Sequence, residues 1–240
     1  MGRAHEVRAK KIAQTNAAKS ALYNRASKEI YLAAKSGVPD PKENLALRSA
    51  IEKWKAEHVT SDVINRAIDK AKSKDSSNYI PGRYEGFGPG GVSMMVDTLT
   101  DNEKRAFAAV RAAFNHHGGK LGNSGCVSFN FVKSGVVSFD SDKTVEEIEE
   151  DLILNNIDVT NVDKVDNNIE VEVTAESFDA CRDEISKAFN VTEFTQAEVT
   201  FIPSGEWVKI DGADREKFDK LMDALDEIED VQAIYHNADI

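Results

Sequence analysis

The sequence predicts an α+β protein in which an α-helical N-terminal domain precedes two α/β domains. Apolar residues recur with a period near 3.6 through residues 17–71, which indicates helices. From about residue 92 onward the apolar period changes to two, and strand-like and helix-like segments alternate. A polar run at residues 73–78 separates the two patterns and predicts a linker. The length of 240 residues fits one to three domains.

Three helices are predicted in the N-terminal region. The first covers residues 17–35, and the second begins with Pro41 in its first turn, where proline is tolerated. The third follows Ser61, which is a suitable N-cap residue. Residues 3–16 lack an apolar stripe, so we expect a flexible basic arm that becomes ordered on binding. Together these segments predict a basic helical domain over residues 1–75.

The next segments predict a β-α-β unit. Residues 92–99 are rich in strand-forming side chains, and residues 102–117 carry a helical apolar stripe. Residues 126–132 alternate valine and phenylalanine with polar residues, which predicts a strand with one buried face. This unit has too few strands to form a complete sheet by itself.

Residues 135–203 predict a ferredoxin-like domain. Their order is strand, helix, strand, strand, helix, strand, which is the split βαβ arrangement. The chain then ends with a helix at residues 215–225 and a strand at residues 231–236 that have no partner of their own. We therefore expect a discontinuous α/β domain made of residues 80–134 and 204–240, into which the acidic residue 135–203 domain is inserted.

The net charge of -12 conceals a strong separation of signs along the chain. Residues 1–75 contain sixteen Lys or Arg and nine Asp or Glu, a net charge of +7. Residues 76–240 contain fourteen and thirty-three, a net charge of -19. Such asymmetry indicates that one end of the molecule binds a polyanion. We expect the N-terminal domain to supply essentially all of that affinity.

The predicted nucleic-acid contacts are basic side chains of the N-terminal segment. Lysine and arginine bind phosphates without reading sequence, and this binding weakens steeply with salt. The segment contains no recognisable base-reading motif, so duplex DNA and RNA both remain open as targets. The predicted contact residues are Arg3, Arg8, Lys10, Lys11, Lys19, Arg25 and Lys28.

Motifs for catalysis and for cofactor binding do not occur in a suitable context. Residues 86–91 match G-x-G-x-x-G, but a strand-like segment follows where a dinucleotide site needs a helix. His116 and His117 are adjacent on a predicted helix end and therefore point to different faces. Cys126 and Cys181 are far apart in sequence, and we interpret them as small buried hydrophobic residues. We expect no cofactor, no metal site and no enzymatic activity.

The sequence also predicts where the protein works. Its apolar runs are short, and none approaches the roughly 18 residues that a membrane helix needs. The polar, basic N-terminus has no apolar core of a secretory signal. We expect a cytoplasmic protein without a membrane partner.

Several short motifs, taken together, resemble the YebC/PmpR family over nearly the whole chain. The motifs are Lys10-Lys11, Asp40-Pro41 with Asn44 and Leu47, residues 64–68 (INRAI), 83–92 (RYEGFGPGGV), 99–102 (LTDN), 117–122 (HGGKLG), 197–203 (AEVTFIP) and 231–237 (VQAIYHN). The opening of this chain, Gly2-Arg3-Ala4-His5-Glu6-Val7, departs from the common family opening Gly-His-Ser-Lys-Trp-Ala.

The resemblance implies a helical N-terminal domain, two α/β domains and a cytoplasmic DNA-binding transcriptional regulator. It also implies a second possibility, because a mitochondrial relative activates translation and ribosome-associated roles are credited to bacterial members. We therefore expect a non-enzymatic nucleic-acid-binding regulator of gene expression. A translation factor bound to ribosomal RNA and a protein-protein adaptor acting through the acidic domains remain alternatives.

Overall fold

A computed structural model describes residues 16–72 and 79–240, with side chains from residue 22 onward. The described residues contain seven α-helices, ten strands and three short 3₁₀ turns. The helices are α1 (Asn16–Lys35), α2 (Leu45–Ala56), α3 (Ser61–Lys72), α4 (Glu103–His116), α5 (Val145–Leu154), α6 (Phe178–Ala188) and α7 (Gly212–Asp226). The strands are β1 (Ile80–Phe87), β2 (Ser93–Thr100), β3 (Lys120–Leu121), β4 (Phe131–Asp140), β5 (Val159–Val165), β6 (Asn168–Thr174), β7 (Gln196–Pro203), β8 (Val208–Lys209), β9 (Val231–His236) and β10 (Ala238–Asp239). The α+β class is confirmed.

Helices α1 to α3 pack around a common apolar core. Ile30 and Leu47 are fully buried there, and Trp54 and Ile64 are nearly so. The second helix begins at Leu45 and not at Pro41, because Asn44 provides the cap. Its side-chain oxygen accepts a hydrogen bond from the Leu47 amide at 3.0 Å, which satisfies one of the free N–H groups of the first turn.

The first sheet is antiparallel, with the strand order β3-β1-β2-β9. Strand β9 near the C-terminus pairs with β2, so the last part of the chain completes the sheet begun at residue 80. Helices α4 and α7 contribute Phe114, Phe218 and Leu221 to the core beside this sheet. Strand β1 was not predicted from the sequence, although it pairs with β2 along its whole length.

The predicted strand over residues 126–132 is wrong. Residues Ser128–Asn130 form a 3₁₀ turn, and the strand begins only at Phe131. The alternating pattern misleads because Phe129 is 73% exposed and packs on no core. Backbone N–H groups that a strand would give to a neighbour are bound instead by the carboxylate of Glu85.

The second sheet has the order β5-β6-β4-β7, which is the ferredoxin-like arrangement of a βαββαβ unit. Its apolar core includes Phe139, Ile148, Ile169 and Ile185, all fully buried. Helix α5 begins with a capping box in which Thr144 and Glu147 satisfy each other's backbone N–H groups.

The chain forms two compact units by its internal contacts. Among the described residues, one unit is residues 133–202 and the other combines residues 16–132 with 203–240. The three-domain division expected from the sequence, with residues 1–75 as a separate domain, stays a prediction. No helix among the described residues is long and apolar enough to cross a membrane.

Candidate nucleic-acid interface

The seven predicted phosphate contacts fall into two groups. Arg3, Arg8, Lys10 and Lys11 lie outside the described residues, and Lys19 lies on α1 in a part whose side chains are not described. Arg25 and Lys28 lie farther along α1, in the part of the helix whose side chains are described. These two side chains face the first sheet and the end of α7.

Arg25 binds the end of α7 and the start of β9. Its Nε donates to the carbonyl of Val231 at 2.7 Å. Its Nη2 donates to the carbonyl of Asp226 at 2.9 Å and to the carboxylate of the same residue at 3.1 Å. The side chain is only 11% exposed. A helix C-terminus has free carbonyls, so a guanidinium at this position stabilises the end of α7.

Lys28 uses three acceptors at once. Its Nζ donates to the carbonyls of Leu99 at 3.0 Å and Glu229 at 2.8 Å. It also donates to the carboxylate of Asp230 at 3.0 Å. An ammonium group has three N–H donors, so this geometry occupies all of them. The side chain is 12% exposed, so little of it faces water.

Asp230 is the buried acceptor at the centre of this network. It also accepts from the Nε and Nη2 of Arg105 at distances of 2.9 to 3.1 Å. Burial raises the pKa of Asp230, but the hydrogen bonds from Lys28 and Arg105 outweigh it, and the net shift is downward. The carboxylate is therefore charged at neutral pH and pairs with both cations.

Arg25 and Lys28 thus connect the helical part of the chain to the first sheet. To contact a phosphate, Lys28 would have to leave these partners, and Arg25 has a side chain that is only 11% exposed. Their predicted nucleic-acid contact stays a prediction, and the structure adds a second role that the sequence did not reveal.

The described surface of α2 and α3 has nearly balanced charge. Exposed basic residues in residues 40–72 number six, and exposed acidic residues also number six. They are Lys42, Arg48, Lys55, Arg66, Lys70 and Lys72 against Asp40, Glu43, Glu52, Glu57, Asp62 and Asp69. The excess positive charge of the N-terminal region is therefore concentrated in the first helix and the residues before it.

The glycine-rich segment between β1 and β2 is a tight turn. Gly90 and Gly91 have φ angles of 72° and 82°, which favour glycine. A Cβ on Gly90 would lie 2.6 Å from the side chain of Ile210, so the turn also packs closely. The segment leads into strand β2, as expected, and has no helix for a dinucleotide phosphate.

Glu85 holds the loop that follows β3. Its carboxylate accepts hydrogen bonds from the amides of Gly125, Val127 and Ser128 at 2.9 to 3.0 Å. Burial alone raises the pKa of Glu85, but these three hydrogen bonds lower it on balance. Glu85 therefore acts as a charged internal clamp on a loop whose outer residues Asn123 and Ser124 are exposed.

His116 ends α4 and His117 is its C-cap. Gly118 follows with a φ of 80°, the left-handed conformation that commonly ends a helix. Among residues 22–72 and 79–240, no group of three or more His, Cys, Asp or Glu side chains is arranged to hold a metal ion. The two histidines therefore belong to the C-terminal end of α4.

Two family models match this chain almost from end to end. Residues 3–74 match the TACO1/YebC protein N-terminal domain, and residues 79–238 match the TACO1/YebC second and third domain. The chain belongs to the TACO1/YebC family. The resemblance that the short motifs indicated is thereby confirmed.

Curated relatives match the chain over its full length. A probable transcriptional regulatory protein of Mesoplasma florum is 43% identical over all of both chains. One of Vibrio cholerae is 42% identical, again over all of both chains. A crystal structure of a conserved hypothetical protein, Aq1575, from Aquifex aeolicus is similar with a TM-score of 0.78 and 31% identity. That similarity covers 95% of this chain and 93% of the other.

Within this TACO1/YebC chain, sequence reasoning missed two features. The partners of Arg25 and Lys28 are 71 to 206 residues away in sequence, so no local pattern reveals them. The exposed basic face of α4 was also missed. A usable signal for it was present, because no Asp or Glu occurs from residue 104 to residue 139.

Proposed function

We propose that this chain is a non-enzymatic nucleic-acid-binding regulator of gene expression, and specifically a DNA-binding transcriptional regulator. The observation that carries the proposal is the charge separation, +7 in residues 1–75 against -19 in residues 76–240. The names of the curated relatives, probable transcriptional regulatory proteins, support a regulatory role.

The basic arm supplies the affinity in this proposal. Arg3, Arg8, Lys10, Lys11 and Lys19 contact backbone phosphates and release counterions from the nucleic acid. The acidic α/β part repels the same polyanion and so orients the molecule with its N-terminal end toward it. Arg25 and Lys28 contribute by fixing α1 in position, and Lys28 contacts phosphate only if it leaves its present acceptors.

Two other partners would give the same sequence a different role. Ribosomal RNA presents the same phosphates, and a factor bound there would regulate translation. The unit formed by residues 133–202 contains eighteen Asp or Glu and five Lys or Arg, which suits a basic protein partner. The experiment below separates these possibilities.

The test is charge reversal in the arm, Lys10→Glu with Lys11→Glu, in the full chain. The matched control is Lys187→Glu with Lys209→Glu, which changes the net charge equally at exposed positions far from the arm in sequence. Binding to duplex DNA is measured by fluorescence anisotropy across a salt series, and binding to ribosomes by co-sedimentation. Circular dichroism checks that each variant is folded.

We expect the arm variant to lose duplex binding by at least tenfold and the control to keep it. A loss of ribosome binding with unchanged duplex binding would assign the protein to translation. Unchanged binding to both would contradict the arm contact and favour the adaptor.

A further inference from the structure

Residues 104–139 are the longest acid-free stretch of an acidic chain. The chain has 42 Asp and Glu residues, yet none falls in this stretch. Five basic residues do: Lys104, Arg105, Arg111, Lys120 and Lys133. The average of -19 for residues 76–240 therefore hides a local region of the opposite sign.

Helix α4 presents part of this stretch as one exposed row. Lys104, Phe107, Arg111 and Asn115 follow one another at intervals of three or four residues, so they lie on one face of the helix. All four are exposed. The buried residues of the helix are on its other side, where Val110 and Phe114 join the core. We call Lys104, Phe107, Arg111 and Asn115 the α4 row.

Phe107 is an exposed aromatic ring beside a cation. The residue is 43% exposed. The guanidinium carbon of Arg111 lies 5.9 Å from the ring centroid, and the centroid of the Tyr84 ring lies 5.8 Å from the same point. Glu103, one helical turn before Phe107, is also exposed. An accessible ring next to a cation suits a ligand with both a flat face and a negative charge.

The charges of the α4 row are available to such a ligand. The neighbouring Arg105 is paired with Asp101 and Asp230. Lys104 and Arg111, by contrast, form no ion pair with any carboxylate of the described residues. The adjacent helix α7 pairs its own charges in part, for example Arg215 with Asp219 at 2.9 Å. Lys104 and Arg111 are therefore the cations that the α4 row offers, and the exposed carboxylate of Glu103 lies at the N-terminal end of the same helix.

We infer that the α4 row is a second nucleic-acid contact, and that it binds single-stranded nucleic acid. Phe107 stacks on an unpaired base, and Lys104 and Arg111 bind the flanking phosphates. A base inside a duplex has no free face, so a stacking contact selects single strands. Lys104 and Arg111 are seven residues apart, which is roughly 10 Å along a helix and long enough to contact separate phosphates. This inference rests on the proposed function, which supplies nucleic acid as the class of ligand. The residues that make the contact are different from those of the arm.

The test compares two probes on the full chain: an oligouridylate of about twenty nucleotides, long enough for a single-strand site, and a DNA duplex. One variant is Phe107→Leu, which keeps apolar volume and removes the stacking ring. A second is Lys104→Ala with Arg111→Ala, whose exposed side chains leave the core unchanged. The control is Lys187→Ala with Lys209→Ala, which removes the same charge elsewhere. Thermal unfolding confirms that the variants are folded.

We expect Phe107→Leu to weaken oligouridylate binding by about tenfold and to leave duplex binding unchanged. For the double alanine variant, we plot the logarithm of the oligouridylate binding constant against the logarithm of the salt concentration. The slope of that plot is expected to be smaller in magnitude by about 1.4, or about 0.7 for each lost phosphate contact. The inference is wrong if both variants bind oligouridylate as the control does. If the α4 row variants lost oligouridylate binding and the Lys10→Glu, Lys11→Glu arm variant kept it, the result would support the α4 row contact and contradict the arm contact.

Discussion

Lys28 Nζ lies 3.0 Å from the carboxylate of Asp230, and the two side chains are 12% and 5% exposed. The same carboxylate accepts from Arg105 at 2.9 Å. One buried acid therefore joins α1, α4 and the turn before β9. A charge removed from such a site leaves its partners without compensation, which costs more than the pair itself contributes.

Replacing Asp230 by alanine is expected to lower the free energy of unfolding by about 3 kcal/mol. The substitution leaves the nearly buried ammonium of Lys28 without its anion. Urea denaturation monitored by circular dichroism measures the change. Asp223→Ala is the control, since Asp223 is exposed on α7, and we expect a change of no more than about 0.5 kcal/mol there. Equal stability of the two variants would contradict the structural role of Asp230.

Replacing Glu85 by glutamine is expected to lower the free energy of unfolding by about 2 kcal/mol at pH 7. Three backbone amides point at the carboxylate, and an amide side chain would place its own donor against at least one of them. Urea unfolding of the wild type and of Glu85→Gln measures this difference in the free energy of unfolding.

The same variant should also change the pH dependence of stability. The pKa of Glu85 is below its ordinary value of 4.5 in the folded chain, so its contribution is present above that pH and disappears as pH falls through the folded pKa. The wild type is therefore expected to lose more stability than Glu85→Gln on acidification from neutral pH to below pH 4. Glu149→Gln, at an exposed position of α5, should keep the wild-type pH dependence. Parallel curves for the wild type and Glu85→Gln would contradict the prediction.

The two thiols should differ in reactivity. Cys181 is fully buried, and burial raises the pKa of its thiol to about 12. Cys126 is partly exposed, and burial and the Glu85 carboxylate raise the pKa of its thiol. Because the thiolate is the reactive form, we expect a disulfide reagent at pH 8 to modify Cys126 slowly and Cys181 only in urea. If the folded Cys126→Ser variant reacted readily without urea, Cys181 would be accessible and the prediction would be wrong.

The helices and most strands could be predicted because local periodicity reports burial. Ile30 and Leu47 are fully buried, as the apolar stripes predicted, and the strand at residues 231–236 has the predicted bounds. Strand β1 escaped prediction because Pro81, Gly82 and Gly86 are unfavourable in strands. It forms because eight register pairs with β2 outweigh those preferences.

The remaining differences come from contacts between residues distant in sequence. The loop at residues 125–128 departs from a strand because Glu85, about 40 residues earlier, binds its amides. Counting charges placed Arg25 and Lys28 among phosphate contacts, but charge counts do not reveal acceptors 201 to 206 residues away. The α4 row escaped for a related reason, since an average over residues 76–240 obscures one basic face.

Arg25 and Lys28 should therefore behave differently from the arm residues Lys10 and Lys11. Alanine at Arg25 or at Lys28 is expected to lower the free energy of unfolding by about 2 kcal/mol, because each removes one of the cations that bind a buried or partly buried carboxylate and nearby backbone carbonyls. Alanine at Lys10 and Lys11 should leave it within about 0.5 kcal/mol and should weaken nucleic-acid binding instead. A double-mutant cycle between Lys28→Ala and Asp230→Ala, measured by urea unfolding, should give a coupling of at least about 1 kcal/mol. If Lys28→Ala kept full stability and lost duplex binding, Lys28 would be a phosphate contact after all, and its bond to Asp230 would be incidental.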